Sequence, residues 1–291
     1  MPIDDWTWAG SLVTPQGTLI LNDPSQAEGG FILEPASCVG SVEAIRAEKY
    51  GIPAADGSYL RTRYTSGYGL RLAIMLAVDD NETPACPTTS PTATEMNDTL
   101  ARHLRSILNG GGRLVWTPAV TGGAQRLLDD LWLLTPPAVS NIGGFETLTF
   151  DCDTRYPYAI DFTQTVTEFT GSDFEQFLVN GGTSPFWPVW KIYGPSDGFS
   201  IVNVTTNEEI VYDKDLVSPA QPIPAGSYLE IDTFRNTAYL NGSGANYLDG
   251  IDVTLTTFFP LAVGSNDILI TDDGSGGGVP DVDCLWQNAW F

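Results

Sequence analysis

Apolar positions along most of this chain recur every second residue or in short unbroken runs, and both patterns predict β-strands rather than helices. Gly17–Asn22 and Gly30–Glu34 are short runs flanked by Gly, Asn and Pro. Arg61-Thr62-Arg63-Tyr64 alternates with period two and leads through Gly67-Tyr68-Gly69 into the apolar run Leu70–Val78. This predicts a hairpin whose second strand is buried for most of its length. Residues 79–93 are polar and rich in Thr, Pro and Asp, and one helix follows. Met96, Leu100, Leu104, Ile107 and Leu108 fall on one face at the helical repeat, Thr94 suits the N-cap, and Asn109-Gly110-Gly111-Gly112 ends the element. Glu95 and Asp98 lie near the positive end of the helix dipole, and Arg102 and Arg105 toward the negative end.

Strands resume at Arg113–Trp116, Gln125–Leu134 and Glu146–Cys152. The segment Asp151–Tyr158 ends a strand with charge and Pro157, which places a domain boundary between residues 157 and 158. Beyond it the pattern is β throughout: Ile160–Phe169, Phe186–Tyr193, Phe199–Val204, Glu209–Tyr212, Tyr228–Asp232, Thr237–Leu240, Val253–Thr257, Asp267–Thr271 and Asp283–Trp286. Asn241-Gly242 is a type I′ turn signal. The fold class is therefore mainly β. Residues 1–157 form a barrel- or sandwich-type domain with one helix, and residues 158–291 a β-sandwich.

Composition sharpens this. Gly and Pro supply 30 and 20 of the 291 residues, which favours many strands joined by tight turns. Hydrophobic residues at 42% and charged residues at 17% suit packed cores. The net charge is −23. Lys and Arg number 10 against 18 Asp and Glu in residues 1–157, and 3 against 18 in residues 158–291, or −8 and −15. Such a chain repels phosphate backbones and anionic membranes, so neither nucleic acid nor membrane is expected as a partner. The start Met1-Pro2-Ile3-Asp4-Asp5 lacks a basic and an apolar segment, and no apolar run reaches membrane-spanning length. A soluble protein made in a cytoplasm is expected.

Candidate chemistry is sparse. Cys38, Cys86, Cys152 and Cys284 form no CxxC pair and are expected to remain four thiols. His103, the one histidine, lies one residue off the apolar stripe of the helix and reads as a partly buried or surface residue. Glu208-Glu209 and Asp272-Asp273 are adjacent pairs, which on a strand point to opposite faces and do not form a glycosidase pair. Asp272–Gly278 lacks the alternating ligands of a calcium loop and reads as a hairpin loop. No nucleophile-elbow, P-loop or zinc-protease motif is present. No enzyme activity, cofactor or metal is expected.

The order of motifs in the C-terminal half points to a family. Asn180-Gly181-Gly182-Thr183 opens a string that runs from Pro185-Phe186-Trp187-Pro188-Val189-Trp190 to Gly194. Phe199–Asn207, Ala225–Thr233, Tyr239–Gly242 and Phe258–Ile268 follow in turn. Over about 110 residues this series resembles the galectin-like C-terminal domain of siphophage distal tail proteins, also called minor tail proteins. The N-terminal half is similar to that family's ring-forming domain.

The resemblance implies a structural virion protein at the tail tip, assembled in the host cytoplasm. It implies a homohexameric ring that joins the tail tube to the tip or baseplate. The implied partners are the tail tube protein, the tail-associated hub or lysin protein, and tape-measure or side-fibre proteins. The 61–78 hairpin is the expected ring contact, with Tyr64, Tyr68, Leu70, Leu72 and Ile74 as interface candidates, because its apolar length exceeds what a small domain's own sheet uses. The alternative is a carbohydrate-binding module at the host surface, with Trp187 and Trp190 as sugar contacts. The absence of His beyond residue 157 counts against a site of the galectin kind. In structural terms Trp187, Trp190, Phe258, Phe259, Trp286, Trp290 and Phe291 fill a sandwich core or a subunit interface.

Overall fold

A computed structural model describes residues 10–21, 29–33, 45–51, 58–65, 70–78, 93–106, 111–117, 124–133, 138–142, 145–154, 156, 158–171, 174–272 and 278–290. The chain divides into two compact units, 1–162 and 163–290. The division falls after Phe162 because Ala159–Asp161 still pairs into the first unit's sheet.

The first unit contains β1 (Gly10–Thr14), β2 (Gly17–Leu21), β3 (Gly29–Leu33), β4 (Ile45–Gly51), β5 (Ser58–Thr65) and β6 (Leu70–Val78). These are followed by α1 (Ala93–Ser106), β7 (Gly112–Trp116), β8 (Arg126–Leu133), β9 (Ala138–Ile142), β10 (Phe145–Asp153) and β11 (Ala159–Asp161). Its main sheet runs β11-β8-β7-β1-β2-β3-β6-β10-β9, and β10 also pairs with β8. The second pairing closes the wall β8-β7-β1-β2-β3-β6-β10 into a barrel, which removes free edges. Alternation fills it: Gly10, Leu12 and Thr14 of β1 point in while Ser11 and Val13 do not. Leu12, Leu21, Ile74, Leu114, Leu128 and Leu131 are fully buried.

The helix packs on β6 and β2. Leu100 and Leu104 of its predicted stripe are buried; Ile107 and Leu108 lie outside the described residues. It begins at Ala93, slightly before the predicted cap Thr94. His103 is buried with Nδ1 2.7 Å from Thr14 Oγ1, which ties the helix to β1. Burial, and then the neighbouring Arg102 charge, hold its pKa below the usual value and favour the neutral ring.

The second unit contains β12 (Thr165–Phe169), β13 (Glu175–Asn180), β14 (Val189–Tyr193), β15 (Gly198–Asn203) and β16 (Glu208–Asp213). After these come β17 (Tyr228–Asp232), β18 (Thr237–Leu240), β19 (Gly264–Thr271) and β20 (Val282–Trp286). They form a five-stranded sheet, β12-β20-β14-β17-β18, and a four-stranded sheet, β13-β19-β15-β16. Inner-face residues alternate with outer ones, as a sandwich requires. Trp190, Ile192, Leu229 and Ile231 come from the first sheet, and Ile201, Ile210, Ile268 and Ile270 from the second. Trp190 sits between Phe169 and Phe259, each with ring centroids 6.3 Å from its own.

The polar signals of this half do local work. Asp232 Oδ1 accepts from the amides of Phe234 and Arg235, both at 3.0 Å, and caps the turn after β17. Asn203 Oδ1 accepts from Thr205 and Thr206, while its Nδ2 donates to Asn266 Oδ1 at 3.2 Å. Asn241 and Gly242 both have positive φ, 52° and 75°, but the hairpin closes at Leu240–Ala245 around a four-residue loop instead of the two-residue type I′ turn predicted there. The strand expected at Val253–Thr257 is not formed. Asp252 Oδ1 accepts from the amide and hydroxyl of Thr254, and this local turn replaces a ladder.

Candidate interaction surfaces

The expected hairpin of residues 61–78 does not exist. β5 pairs with β4, and β6 lies inside the barrel wall between β3 and β10. From Leu72 to Val78 the run is apolar at consecutive positions, as on a strand covered on both faces, and α1 packs against it. Leu70 stands opposite Cys152, Leu72 opposite Phe150, and Ile74 opposite Leu148 and Leu33. Ile74 is 0% exposed, and β6 has no free edge. Ile74 is therefore buried within the first unit, and Leu70 and Leu72 lie on the same internal strand. Tyr68 lies outside the described residues.

Tyr64 falls on a different element. β4 and β5 make a separate two-stranded ribbon running from Ile45–Thr65 to Gly51–Ser58, with an irregularity between Ala47 and Lys49 and Tyr64 opposite Arg46. Among the described residues the ribbon joins no other sheet. An isolated ribbon is marginally stable in water, so it gains by packing on something else.

The two tryptophans proposed for sugar contact separate. Trp190 is fully buried in the sandwich core and presents no face to a ligand, which corrects that assignment. Trp187 is half-buried and packs edge-on against Phe234 at 5.8 Å between centroids. Phe259 and Trp286 take the core role expected of the aromatic cluster.

The outer face of the five-stranded sheet carries Tyr193, Tyr228, Lys191, Glu230 and Asp283. The two tyrosine rings lie 6.0 Å apart, and the Lys191 ammonium sits 5.1 Å from the Tyr228 centroid. The Tyr193 hydroxyl donates to Asp283 Oδ2 at 2.7 Å. That bond, with partial burial and the Asp283 charge, pushes the Tyr193 phenol up to about 12. The protonated phenol is thus favoured by folding. The contribution is complete below pH 10 and disappears as pH climbs through 12. The melting temperature of the native protein should exceed that of Tyr193→Phe slightly at pH 8, and the two should converge by pH 12. A constant gap across that window would assign the effect to packing instead.

The outer face of the four-stranded sheet is different in kind. Phe177, Val179 and Val204 stand 69%, 56% and 49% exposed on it, and sequence reasoning missed β13, which carries the first two. Glu175-Gln176-Phe177-Leu178-Val179-Asn180 does alternate, with Leu178 and Asn180 inward, and that period was the available signal.

Among the described residues no group of three or more His, Cys, Asp or Glu side chains is placed to hold a metal ion. Among those residues, too, no helix is long and apolar enough to cross a membrane. Cys152 and Cys284 are buried and in no disulfide, and burial pushes the Cys284 thiol well above its usual range. Both should resist a maleimide in native buffer and react in denaturant, as peptide mapping would reveal. Labelling of either within minutes in native buffer would contradict this placement. Cys38 and Cys86 lie outside the described residues.

No protein-family model and no curated protein matches this chain. Among solved structures the chain is similar to the Dit protein of phage SPP1, described as a paradigm of the hub adsorption apparatus in phages infecting Gram-positive hosts. The TM-score is 0.60 at 10% identity, covering 97% of this chain and 99% of that one. Two structures of the phage P2 baseplate in its activated conformation, with Ca and with Sr, align over the same shares at 10% and 11% identity, with TM-scores of 0.43. The chain thus shares the fold of the SPP1 protein from end to end.

Proposed function

We propose that this protein is a distal tail protein of a long-tailed bacteriophage. Six copies of the N-terminal unit close a ring that joins the tail tube to the tail tip or baseplate, and the C-terminal unit is a galectin-like sandwich that docks peripheral parts. The observation that carries this reading is the fold shared with the SPP1 Dit protein over nearly the whole of both chains. An adaptor of this kind needs rigid surfaces and no catalytic residue. A barrel wall closed through β8 and β10 and a well-filled sandwich suit that requirement.

Ring closure requires one heterologous contact repeated about an axis. The ribbon β4–β5, with Tyr64, is the element we assign to it, because among the described residues it joins no larger sheet and a neighbour would give it a surface to pack on. One ring face would then meet the tail tube protein, and the other the tail-associated hub. The carbohydrate-binding alternative loses Trp190 to the core and keeps only the half-buried Trp187. An electron-microscopy map of the intact tail tip tests the proposal. Six copies at the junction of tube and tip are expected, and density anywhere else would refute it.

A further inference from the structure

The edge strands of the sandwich are β12 and β18 in one sheet and β13 and β16 in the other, and the chain covers most of them itself. Along β16 the Asp252 and Thr257 amides donate to the Val211 and Glu209 carbonyls at 2.9 and 2.7 Å, and the Val211 amide donates to Thr256 Oγ1 at 2.9 Å. Along β18 the Tyr247 amide donates to the Ala238 carbonyl and the Leu240 amide to the Ala245 carbonyl, both at 2.9 Å. On β12 the Glu168 carbonyl accepts from the Gln176 side chain. β13 differs. Just before it the Ile270 amide donates to the Phe174 carbonyl at 2.8 Å, so its rungs to β19 fall on Gln176, Leu178 and Asn180. Phe177 stands opposite Asp267, whose carbonyl is turned away from it to the Val204 amide at 2.8 Å. The amides and carbonyls of Glu175, Phe177 and Val179 therefore point out of the sheet, and among the described residues nothing pairs with them.

Consecutive open rungs invite a further strand, and natural edges are usually blunted by Pro, Lys or a bulge. Glu175-Gln176-Phe177-Leu178-Val179-Asn180 has neither Pro nor Lys, and its ladder runs to β19 without a register shift. Phe177 and Val179 also expose their side chains on the outer face, so an added strand would meet apolar cross-strand neighbours. Charge selects the occupant. Residues 158–291 hold 18 acidic residues against 3 basic ones. The ribbon has the opposite sign: β4 carries Arg46 and Lys49, β5 carries Arg61 and Arg63, and Glu48 is the one acid on the two strands. Among the described residues that ribbon, too, joins no other sheet.

We propose that the β13 edge takes the β4–β5 ribbon of a second copy, so that the four-stranded sheet of one molecule continues into the ribbon of the next. Backbone rungs at Glu175, Phe177 and Val179 hold the added strand, and the opposite charges of ribbon and sandwich steer it there. The contact is heterologous, with the ribbon on one side and β13 on the other, and such a contact repeated about an axis closes a ring. Pairing β13 with β13 of a second copy would instead require a two-fold axis and would bring two acidic sandwiches together. The inference rests on the reading of the ribbon as the ring contact and names the surface that receives it.

The test uses the purified full chain with Phe177 replaced by the photoreactive p-benzoylphenylalanine, assembled from a mixture of ordinary and isotope-labelled copies. After irradiation, mass spectrometry is expected to find residue 177 joined to a peptide of β4 or β5 that carries the other label. Val179→Pro removes an open amide without touching the ladder to β19, and should lower both the joining and the yield of hexamer about tenfold while the β19 amides keep their protection from exchange. Arg61→Glu combined with Arg63→Glu should do the same from the ribbon's side, and it decides alone should the proline variant fail to fold. Joining within one copy, joining to β13 of another copy, no joining, or full joining in folded variants would overturn the proposal. Hexamers that persist while residue 177 joins elsewhere would remove this contact and leave the ring reading intact. Absence of hexamers of the unaltered chain in native mass spectrometry would overturn both.

Discussion

Trp190→Ala is expected to destabilise the C-terminal unit by about 3–5 kcal/mol, the cost of emptying a large aromatic site that neighbours refill incompletely. The indole is 0% exposed and touches Phe169 and Phe259, so its removal opens the centre of the sandwich. Trp190→Phe should cost far less than its lost area suggests. The indole Nε1 is buried without a hydrogen-bond partner, and Phe removes that unsatisfied donor. Relief of such a group is worth about 1–3 kcal/mol and offsets part of the lost contact. Denaturant titration, with hydrogen exchange at β14 and β17 to identify the transition, measures both variants. A loss for Trp190→Phe as large as its lost apolar contact alone predicts would show that the orphan donor carries no weight.

The second large effect concerns assembly. Replacing the ribbon from Ile45 to Thr65 by a short Gly-Ser turn is expected to abolish ring formation while leaving the barrel folded. The barrel wall closes through β8, β7, β1, β2, β3, β6 and β10, and the ribbon contributes no ladder to it. Native mass spectrometry of the intact protein should give the hexamer, and the shortened protein the monomer, with the same barrel melting temperature. A shortened chain that still assembles would remove the ribbon from the ring contact. A shortened chain that fails to fold would place the ribbon within the barrel's own stability.

How far the sequence could be read depended on the distance between partners. Tyr228–Asp232 and Thr237–Leu240 were legible to the residue, because alternation and the bounding turns are local. The burial of Trp190 was legible too: in Val189-Trp190-Lys191-Ile192-Tyr193 it shares the face of Ile192 and lies opposite Lys191. Its assignment to sugar contact set that period aside. The pairing of β6 was not legible. A run of apolar residues says that both faces of a strand are covered but not which strands pair with its edges, and β5 is the nearest neighbour in sequence. β4 was missed because Ile45-Arg46-Ala47-Glu48-Lys49-Tyr50-Gly51 has charges in the places where a strand pattern is sought. Val253–Thr257 failed the other way, since a single Asp252 side chain outweighed a favourable strand composition. The Phe177–Asp267–Val204 row could not be seen at all. Phe177 lies on β13, Asp267 on β19 and Val204 in the turn after β15, and they meet only once the four-stranded sheet has formed.

The closed wall of the first unit also bears on how the molecule would carry tension. A barrel shares a pull around its circumference as a hoop does, stave to stave, and a hoop parts at its weakest joint. The joint between β2 and β3 is parallel and, among the described residues, is made by the single pair Leu21–Phe31, whereas β10 and β6 are laced from Glu146–Leu76 to Cys152–Leu70. Under load the seam at Leu21 would yield first. β1 and β2 would swing away as one flap still hinged on β7, while the stave formed by β3, β6 and β10 stayed whole.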